Sequence, residues 1–292
     1  MCEETKNLMP VPPAGLLELR RLGRNLGRYL GDTIRIREVL SECEGLVRSK
    51  GWSIGAIAVA PGLELPTYTR LARSLGSHNR NVYISAGIHG DEPATTLAVR
   101  ALLEQDHWPG SANLWICPCL NPTGFEANRR ENHAGTDLNR QYLKPEAREI
   151  IAHIDWLERQ PAFDLCLCLH EDWESNGFYL YETNPDGKPS FADQIIKSVA
   201  RVCPIDLSEV IEGRCAHDGV IHGGSDLHSR LQWPEAFYLV THKTRLCFTL
   251  EAPSDFPMEV RISALVEAVK SAIASLCIGS DSARDGERST SV

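Results

Sequence analysis

The chain has 292 residues, of which 42% are hydrophobic and 24% are charged, and its formal net charge is -9. This length supports a full hydrophobic core, so we expect one large domain with terminal extensions. The acidic balance argues against nucleic acid and against an anionic membrane surface as partners. The N-terminus lacks the positive charge and apolar region of a secretory signal, and no run of about 18 apolar residues follows, so we expect a cytoplasmic protein.

Residues 1–75 are expected to form an N-terminal segment of helix and strand that packs on the main domain. Apolar residues recur at helical spacing in 16–32 and again in 35–51. The run Ser53–Ala60 has the composition of a strand. The sequence itself does not indicate what this segment does.

The main domain is predicted to span 76–278 and to alternate strands with helices. Strands are predicted at 82–88, 113–120, 163–170, 177–182 and 245–253. Helices are predicted at 92–105, 144–160, 190–203 and 258–276, with a turn at 121–124. This alternation predicts an α/β fold with a mixed, largely parallel central sheet and helices on both faces. The polar tail 279–292 is predicted to be disordered.

Several of the ten cysteines lie in apolar runs that are typical of strands. They are therefore predicted to be reduced core residues. Alternation in 165–170 places Cys166, Cys168 and His170 on one face of a strand, where His170 taken alone could be a core histidine. A thiolate metal site at Cys166 and Cys168 is an alternative, but no second cysteine pair has ligand spacing.

Polar side chains follow three of the predicted strands. His89 and Glu92 follow the first, His170 ends another, and Glu251 ends the last. Ligands of α/β sheets bind beyond the carboxyl ends of the strands. Two histidines and one carboxylate form an open zinc site, and a second carboxylate can act as the general base. The neighbouring Asp91 is interpreted as a helix N-cap or as an acceptor that orients an imidazole.

The motifs between His89 and Glu251 resemble those of the zinc metallocarboxypeptidases of the carboxypeptidase A type. Within that family they are nearest to the bacterial murein tripeptide amidases and to the succinylglutamate desuccinylase and aspartoacylase group. The shared pattern is His-x-x-Glu after a strand, Asn-Pro-x-Gly, an Arg, Gly-x-Asp-Leu-Asn-Arg, a lone His and a late Glu. All of these occur here in the same order.

The resemblance implies that His89, Glu92 and His170 bind one zinc ion per chain. It also implies that Glu251 is the general base, which takes a proton from the attacking water and relays it to the leaving nitrogen. The resemblance further implies that Arg130 stabilises the developing oxyanion with a permanent positive charge.

Two further residues of the shared pattern are implied to hold the substrate. Asn139 and Arg140 correspond to the pair that clamps a terminal carboxylate. Asp137, in the same motif, is interpreted mainly as an acid that fixes its own loop.

The loop near Gly223 is expected to determine which substrate side chain the protein prefers. In relatives that remove basic residues, an acid closely follows Gly-Gly-Ser, and here Asp226 follows the same three residues. The resemblance therefore implies that Asp226 binds a cationic group of the substrate, and a structural Asp that caps the loop is the alternative. The family's Tyr, four residues before the Gly-Gly, is replaced by Gly219, and His217 or His222 could take its place.

The sequence thus predicts a zinc-dependent hydrolase that cleaves an amide bond next to a free carboxylate. Its substrate would be a peptide or an acylated amino acid. The first alternative is an N-acyl amino acid deacylase with the same ligands, and a more distant one is an inactive binding module. The oligomeric state stays open.

Overall fold

The structure is a computed structural model that describes residues 21–25, 31–73, 79–223 and 229–288. Its helices are α1 (Ile36–Ser49), α2 (Pro93–Gln105), α3 (Pro122–Ala127), α4 (Arg148–Glu158), α5 (Ala192–Val199), α6 (Glu235–His242) and α7 (Met258–Arg288). Its strands are β1 (Ser53–Ala60), β2 (Leu63–Arg70), β3 (Arg80–Ser85), β4 (Ala112–Cys117), β5 (Leu165–Asp172), β6 (Tyr179–Thr183), β7 (Val210–Ile211), β8 (Arg214–Cys215), β9 (Val220–Gly223) and β10 (Cys247–Pro253). A short 3-10 turn covers Leu138–Arg140.

Eight strands form one mixed sheet in the order β1-β2-β4-β3-β5-β10-β6-β9. The four central strands, β4, β3, β5 and β10, run parallel to one another. The strands β2 and β6 flank them in the antiparallel direction. The predicted mixed, largely parallel sheet is therefore confirmed, and the carboxyl ends of its central strands lie at one edge.

Helices cover both faces of the sheet, as the sequence predicts. The helices α1, α2, α5 and α7 pack on one face, and α4 and α6 pack on the other. All residues of β5 are buried. Its leucines join the first core and its cysteines join the second. The alternation seen in the sequence thus describes a strand that packs on both sides.

The N-terminal predictions are confirmed only in part. The predicted helix at 35–51 and the strand Ser53–Ala60 are present as α1 and β1. Most of 16–32 lies outside the described residues, and the described residues 21–25 are not helical.

The strand β2 is not among the predicted strands, and it contains Pro66, a residue type that is disfavoured inside strands. Pro66 is accommodated because it pairs only with β1. The contacts of β2 with β4 begin two residues later, at Tyr68.

Two other predictions need correction. The turn predicted at 121–124 is the start of helix α3, which Asn121 caps by accepting a hydrogen bond from the backbone N of Gly124. The tail predicted to be disordered continues α7 as far as Arg288, and its last residues lie outside the described part. The domain boundaries stay predictions. None of the helices in the described ranges is both long and apolar enough to span a membrane.

Candidate active site

The loop that carries His89 and Glu92 connects β3 to α2. It packs closely on the start of α3, where a Cβ atom on Gly90 would lie 2.0 Å from the carbonyl carbon of Gly124. Pro93 is the first residue of α2, a position that suits proline because its missing N–H needs no partner there. The two glycines therefore bring the His-x-x-Glu and Asn-Pro-x-Gly motifs into direct contact.

Three predicted ligands meet in this region. The Nδ1 atom of His89 lies 2.5 Å from one carboxylate oxygen of Glu92. The Nδ1 atom of His170 lies 3.0 Å from the other oxygen. All three side chains are buried, and the two imidazole rings are 4.9 Å apart between their centroids. One donor atom from each residue lies within 4.8 Å of those of the other two.

This group has the size and the chemistry of a metal shell. Donor atoms of a tetrahedral zinc site are separated by about 3.3 Å, since each lies about 2.0–2.1 Å from the ion. His89, Glu92 and His170 offer two imidazoles and a carboxylate at comparable separations. Within the described ranges, no other group of His, Cys, Asp and Glu side chains meets this criterion. The residues therefore fit a zinc ion.

Burial and neighbouring charges shift the pKa values of all three residues in this group. Burial alone would lower the pKa of His89, but the carboxylates of Glu92 and Asp137 outweigh it and raise the pKa. For His170 burial prevails and lowers the pKa, although Glu92 opposes it. Burial would raise the pKa of Glu92, yet the two histidines hold it well below its usual range. Glu92 is therefore the anionic centre of the group.

Glu251 lies next to the cluster on the sheet. Its strand β10 pairs with β5 so that Glu251 is opposite His170, and both line the same cavity. Burial raises the pKa of Glu251 well above its usual range, and the negative charges of Glu92, Glu212 and Asp172 raise it further. A carboxyl group with a raised pKa at this position can hold a proton during turnover.

Arg130 reaches the cluster from the long polar stretch after α3. Its Nη1 atom lies 3.3 Å from Nδ1 of His89 and 3.9 Å from a carboxylate oxygen of Glu92. Its Nε atom donates a 2.9 Å hydrogen bond to Asp137. Asp137 also accepts a 2.9 Å hydrogen bond from the backbone N of Asn139. Its other contact is with His89, whose Nε2 atom lies 3.5 Å from a carboxylate oxygen of Asp137.

Asp137 thus does more than fix its loop, because its hydrogen bond holds the Arg130 guanidinium beside the His89 imidazole. The orienting role considered for Asp91 stays a prediction. The N-cap role considered for Asp91 is wrong, since Glu92 occupies that position of α2. Burial, reinforced by the charge of Glu92, raises the pKa of Asp91 to about 6.

Asn139 and Arg140 both line the cavity, as a substrate clamp requires. The side-chain oxygen of Asn139 accepts a 2.8 Å hydrogen bond from the backbone N of Glu235 at the start of α6. Because the oxygen of Asn139 is engaged in this bond, its side-chain NH2 group is the part that can donate hydrogen bonds to an anion. Arg140 donates a 2.9 Å hydrogen bond to the backbone oxygen of Asn139, and its side chain is otherwise exposed.

The cavity has a volume of about 210 Å³ and includes side chains that the sequence did not single out. These are Trp173, Tyr181, Glu212, Arg214, Arg230, Phe237 and Thr249. Alternation along β10 could have indicated Thr249, which lies two residues before Glu251. The loops around Glu212 and Arg230 carry no comparable local signal, because their positions depend on the tertiary fold.

The other residues considered for substrate binding are not among the described residues that line the cavity. Asp226 lies outside the described residues. His217 and His222 are exposed and are not among the residues that line the cavity. The tyrosine that lines the described cavity is Tyr181 on β6, whose hydroxyl donates a 2.6 Å hydrogen bond to Glu212.

The thiol of Cys168 is an unsuitable thiolate ligand, because its hydrogen bond with Cys247 and its burial raise its pKa.

A family model matches part of this chain. Residues 78–186 match the model of the succinylglutamate desuccinylase/aspartoacylase catalytic domain. No curated protein matches the sequence significantly.

Solved structures share the fold. A candidate metallopeptidase from Shewanella amazonensis is 23% identical, with a TM-score of 0.71 over 83% of this chain and 93% of that chain. A metallo-carboxypeptidase from Burkholderia cenocepacia is 18% identical, with a TM-score of 0.61 over 84% and 69%. Carboxypeptidase A from Helicoverpa armigera is 14% identical, with a TM-score of 0.62 over 88% and 78%. These matches show that the chain shares the carboxypeptidase-like fold that its motifs indicate.

Proposed function

We propose that this protein is a zinc-dependent hydrolase that cleaves an amide bond next to a free carboxylate, as carboxypeptidases and peptide amidases do. One observation carries the proposal. The buried group of His89, Glu92 and His170 lies in the same cavity as Glu251, which pairs with His170 across the sheet. A metal shell and a carboxyl group beside it are the minimal equipment for hydrolysis of an amide by activated water.

Each residue has a distinct task in this proposal. His89, Glu92 and His170 would hold the ion, which when bound lowers the pKa of a water molecule towards about 7. Glu251 accepts the proton that the attacking water loses and passes it to the leaving nitrogen. Its carboxyl group holds this proton between the two transfers.

Arg130 and the clamp residues act on the substrate. Arg130 is held by Asp137 with its guanidinium beside His89, where it can stabilise negative charge on the carbonyl oxygen. The amide of Asn139 and the guanidinium of Arg140 would grip the substrate carboxylate and fix the scissile bond near the cluster. This arrangement converts a free substrate into an oriented one.

A deacylase that acts on N-acyl amino acids is the second candidate. The match of residues 78–186 to the desuccinylase and aspartoacylase domain favours it. Both candidates use the same residues and differ in what occupies the acyl side of the bond. A preference for a cationic substrate group, bound by Asp226, also stays a proposal.

The test is a substrate screen of the purified full-length chain after zinc loading. The substrates are C-terminally varied peptides, murein tripeptide and N-acyl amino acids, each with a free or an amidated carboxylate, and Glu251→Gln serves as the inactive control. We expect about one zinc per chain and hydrolysis of the free acids. Cleavage of N-acyl amino acids alone would establish the deacylase. Zinc binding without cleavage of any class would contradict both enzymes and favour the binding module.

A further inference from the structure

Helix α2 begins without the help of its own N-cap side chain. Glu92 is the N-cap residue, and its side chain makes no capping hydrogen bond. Both of its oxygens instead face the imidazoles of His89 and His170. An N-cap side chain normally accepts from the backbone N–H of the second or third helical residue, which otherwise lacks a partner. The acceptor at this helix must therefore come from elsewhere.

Glu171 supplies that acceptor. One of its carboxylate oxygens accepts a 2.6 Å hydrogen bond from the backbone N of Ala94, the second residue of α2. Glu171 directly follows His170 on β5, and Ala94 lies two residues after Glu92. One buried carboxylate therefore joins the two chain segments that carry the predicted metal ligands.

Arg261 fixes the Glu171 carboxylate from the other side. Its Nη1 atom donates a 2.8 Å hydrogen bond to the second oxygen of Glu171, and both side chains are fully buried. The other terminal nitrogen of Arg261 pairs with Asp32 from the N-terminal segment. Asp32 is bound in turn by Arg24 at 2.8 Å. The planar guanidinium therefore holds Glu171 in one orientation and links it to residues before α1.

We propose that Glu171, held by Arg261, is a positioning residue of the metal site. It caps α2 in place of Glu92, so that the Glu92 carboxylate is left to bind the metal. Without Glu171, the N–H of Ala94 loses its acceptor inside the protein. Glu92 occupies the backbone position from which a side chain can replace that acceptor, so capping would compete with metal binding. The inference rests on the metal site proposed above.

Two double variants distinguish the effect of the capping hydrogen bond from the effect of the buried ion pair. Glu171→Gln/Arg261→Met and Glu171→Leu/Arg261→Met both remove the buried pair without leaving a single unpaired charge. Gln at this position keeps an oxygen that can accept from Ala94, whereas Leu does not. The zinc dissociation constants are measured by competition with a chelator, the ligand geometry is checked by the visible spectrum of the Co²⁺ form, and apo-protein melting temperatures confirm the fold.

We expect the Leu variant to bind zinc about 10- to 100-fold more weakly than the Gln variant, with a changed Co²⁺ spectrum. The Gln variant should remain close to the wild type. Equal zinc affinity and equal spectra in the two variants would overturn the positioning role while leaving the proposed function intact. A wild-type chain that binds no zinc would overturn both.

A second measurement needs no variant and applies even if the Leu variant does not fold. In the wild type, the amide hydrogen of Ala94 should be protected from exchange both with and without zinc, because its acceptor is Glu171 in either state. An Ala94 amide that exchanges freely in either state would overturn the proposal.

Discussion

Within the part of the chain that the structure describes, two buried clusters combine histidine with carboxylate, and one of them has the form of a metal site. The first is the group of His89, Glu92 and His170, hereafter the ligand cluster. The second, hereafter the Glu235 cluster, lies where α6 packs on β3 and comprises Tyr83, Ser85, Tyr142, His153 and Glu235. Comparing them shows which features identify a functional site.

The Glu235 cluster is closed. Tyr83 and Ser85 each donate a hydrogen bond to one oxygen of Glu235, at 2.9 and 2.8 Å. The ring of His153 lies between the hydroxyls of Tyr83 and Tyr142, at 2.9 and 2.8 Å. Both oxygens of the carboxylate and both nitrogens of the imidazole therefore have a partner, which is how buried polar groups are normally stabilised.

The ligand cluster is open. Its two imidazoles face a single carboxylate, and the 3.5 Å contact between Nε2 of His89 and Asp137 is not a hydrogen bond. Both clusters are buried and both contain shifted pKa values, so neither property distinguishes them. The difference lies in the convergence of several donor atoms beside a cavity. The following predictions test that distinction, starting from the largest expected effect.

The histidines of the two clusters should respond differently to removal. His170→Ala should weaken zinc binding by more than about 100-fold, since it removes a proposed ligand, and loss of a residue that only orients a ligand already costs about 10- to 100-fold. His153→Ala should lower the melting temperature but leave the zinc dissociation constant within about 3-fold of the wild type. Chelator competition and thermal melting measure the two effects. Full zinc retention by a His89→Ala/His170→Ala variant would contradict the site.

Substitution of Glu251 and substitution of Glu235 should also have different effects on activity. Glu251→Gln should keep the metal and the fold while lowering kcat by about 100-fold or more, because it removes the general base. Glu235→Gln is the matched control and should leave kcat within a few-fold, since Glu235 bonds to hydroxyls behind the cavity. Wild-type turnover by Glu251→Gln would show that the base is another residue.

The sequence was sufficient to locate the ligand cluster because its members lie at strand ends or in short motifs. His89 and Glu92 are three residues apart, and the apolar runs before His170 and Glu251 identify their strands. Parallel strands then bring these ends together, so a one-dimensional pattern predicts a three-dimensional site.

The Glu235 cluster could not be found in this manner. Tyr83, Tyr142, His153 and Glu235 come from four separate segments, and no pattern links them. The helix α6 itself was missed, since its short apolar stretch has no clear helical or strand period. Similarly, the position of Glu171 directly after His170 in the sequence does not reveal its role. Its role depends on Ala94 and Arg261, which long-range packing brings to it.

The substrate clamp should show a smaller effect than the base. Arg140→Ala is expected to lower kcat/KM by about 10- to 150-fold, the value of one charge-assisted hydrogen bond. Amidating the substrate carboxylate should cost a similar factor, and the two losses should not add, because both remove the same contact. Arg148→Ala serves as the control, since Arg148 is exposed at the start of α4 and does not line the cavity. Equal cleavage of free and amidated substrates would contradict the clamp.

The Glu235 cluster should make the free energy of unfolding depend on pH. Burial raises the pKa of Glu235 to about 7, so between pH 4.5 and 7 the folded protein holds a proton that the unfolded chain releases. The free energy of unfolding therefore falls as the pH rises through this range. Burial lowers the pKa of His153 to about 3, so between pH 3 and 6.5 the unfolded chain binds a proton that the folded protein excludes. This contribution makes the free energy of unfolding rise with pH.

The two contributions oppose each other where their ranges overlap, between pH 4.5 and 6.5. Each is worth at most about 1.4 kcal/mol per pH unit. Glu235→Gln should make the free energy of unfolding rise more steeply with pH, whereas His153→Gln should make it rise less or fall. Urea unfolding of the metal-free protein across this range measures both slopes, with the wild type as reference. If both substitutions change the slope in the same direction, Glu235 and His153 do not titrate as their buried hydrogen-bond network requires.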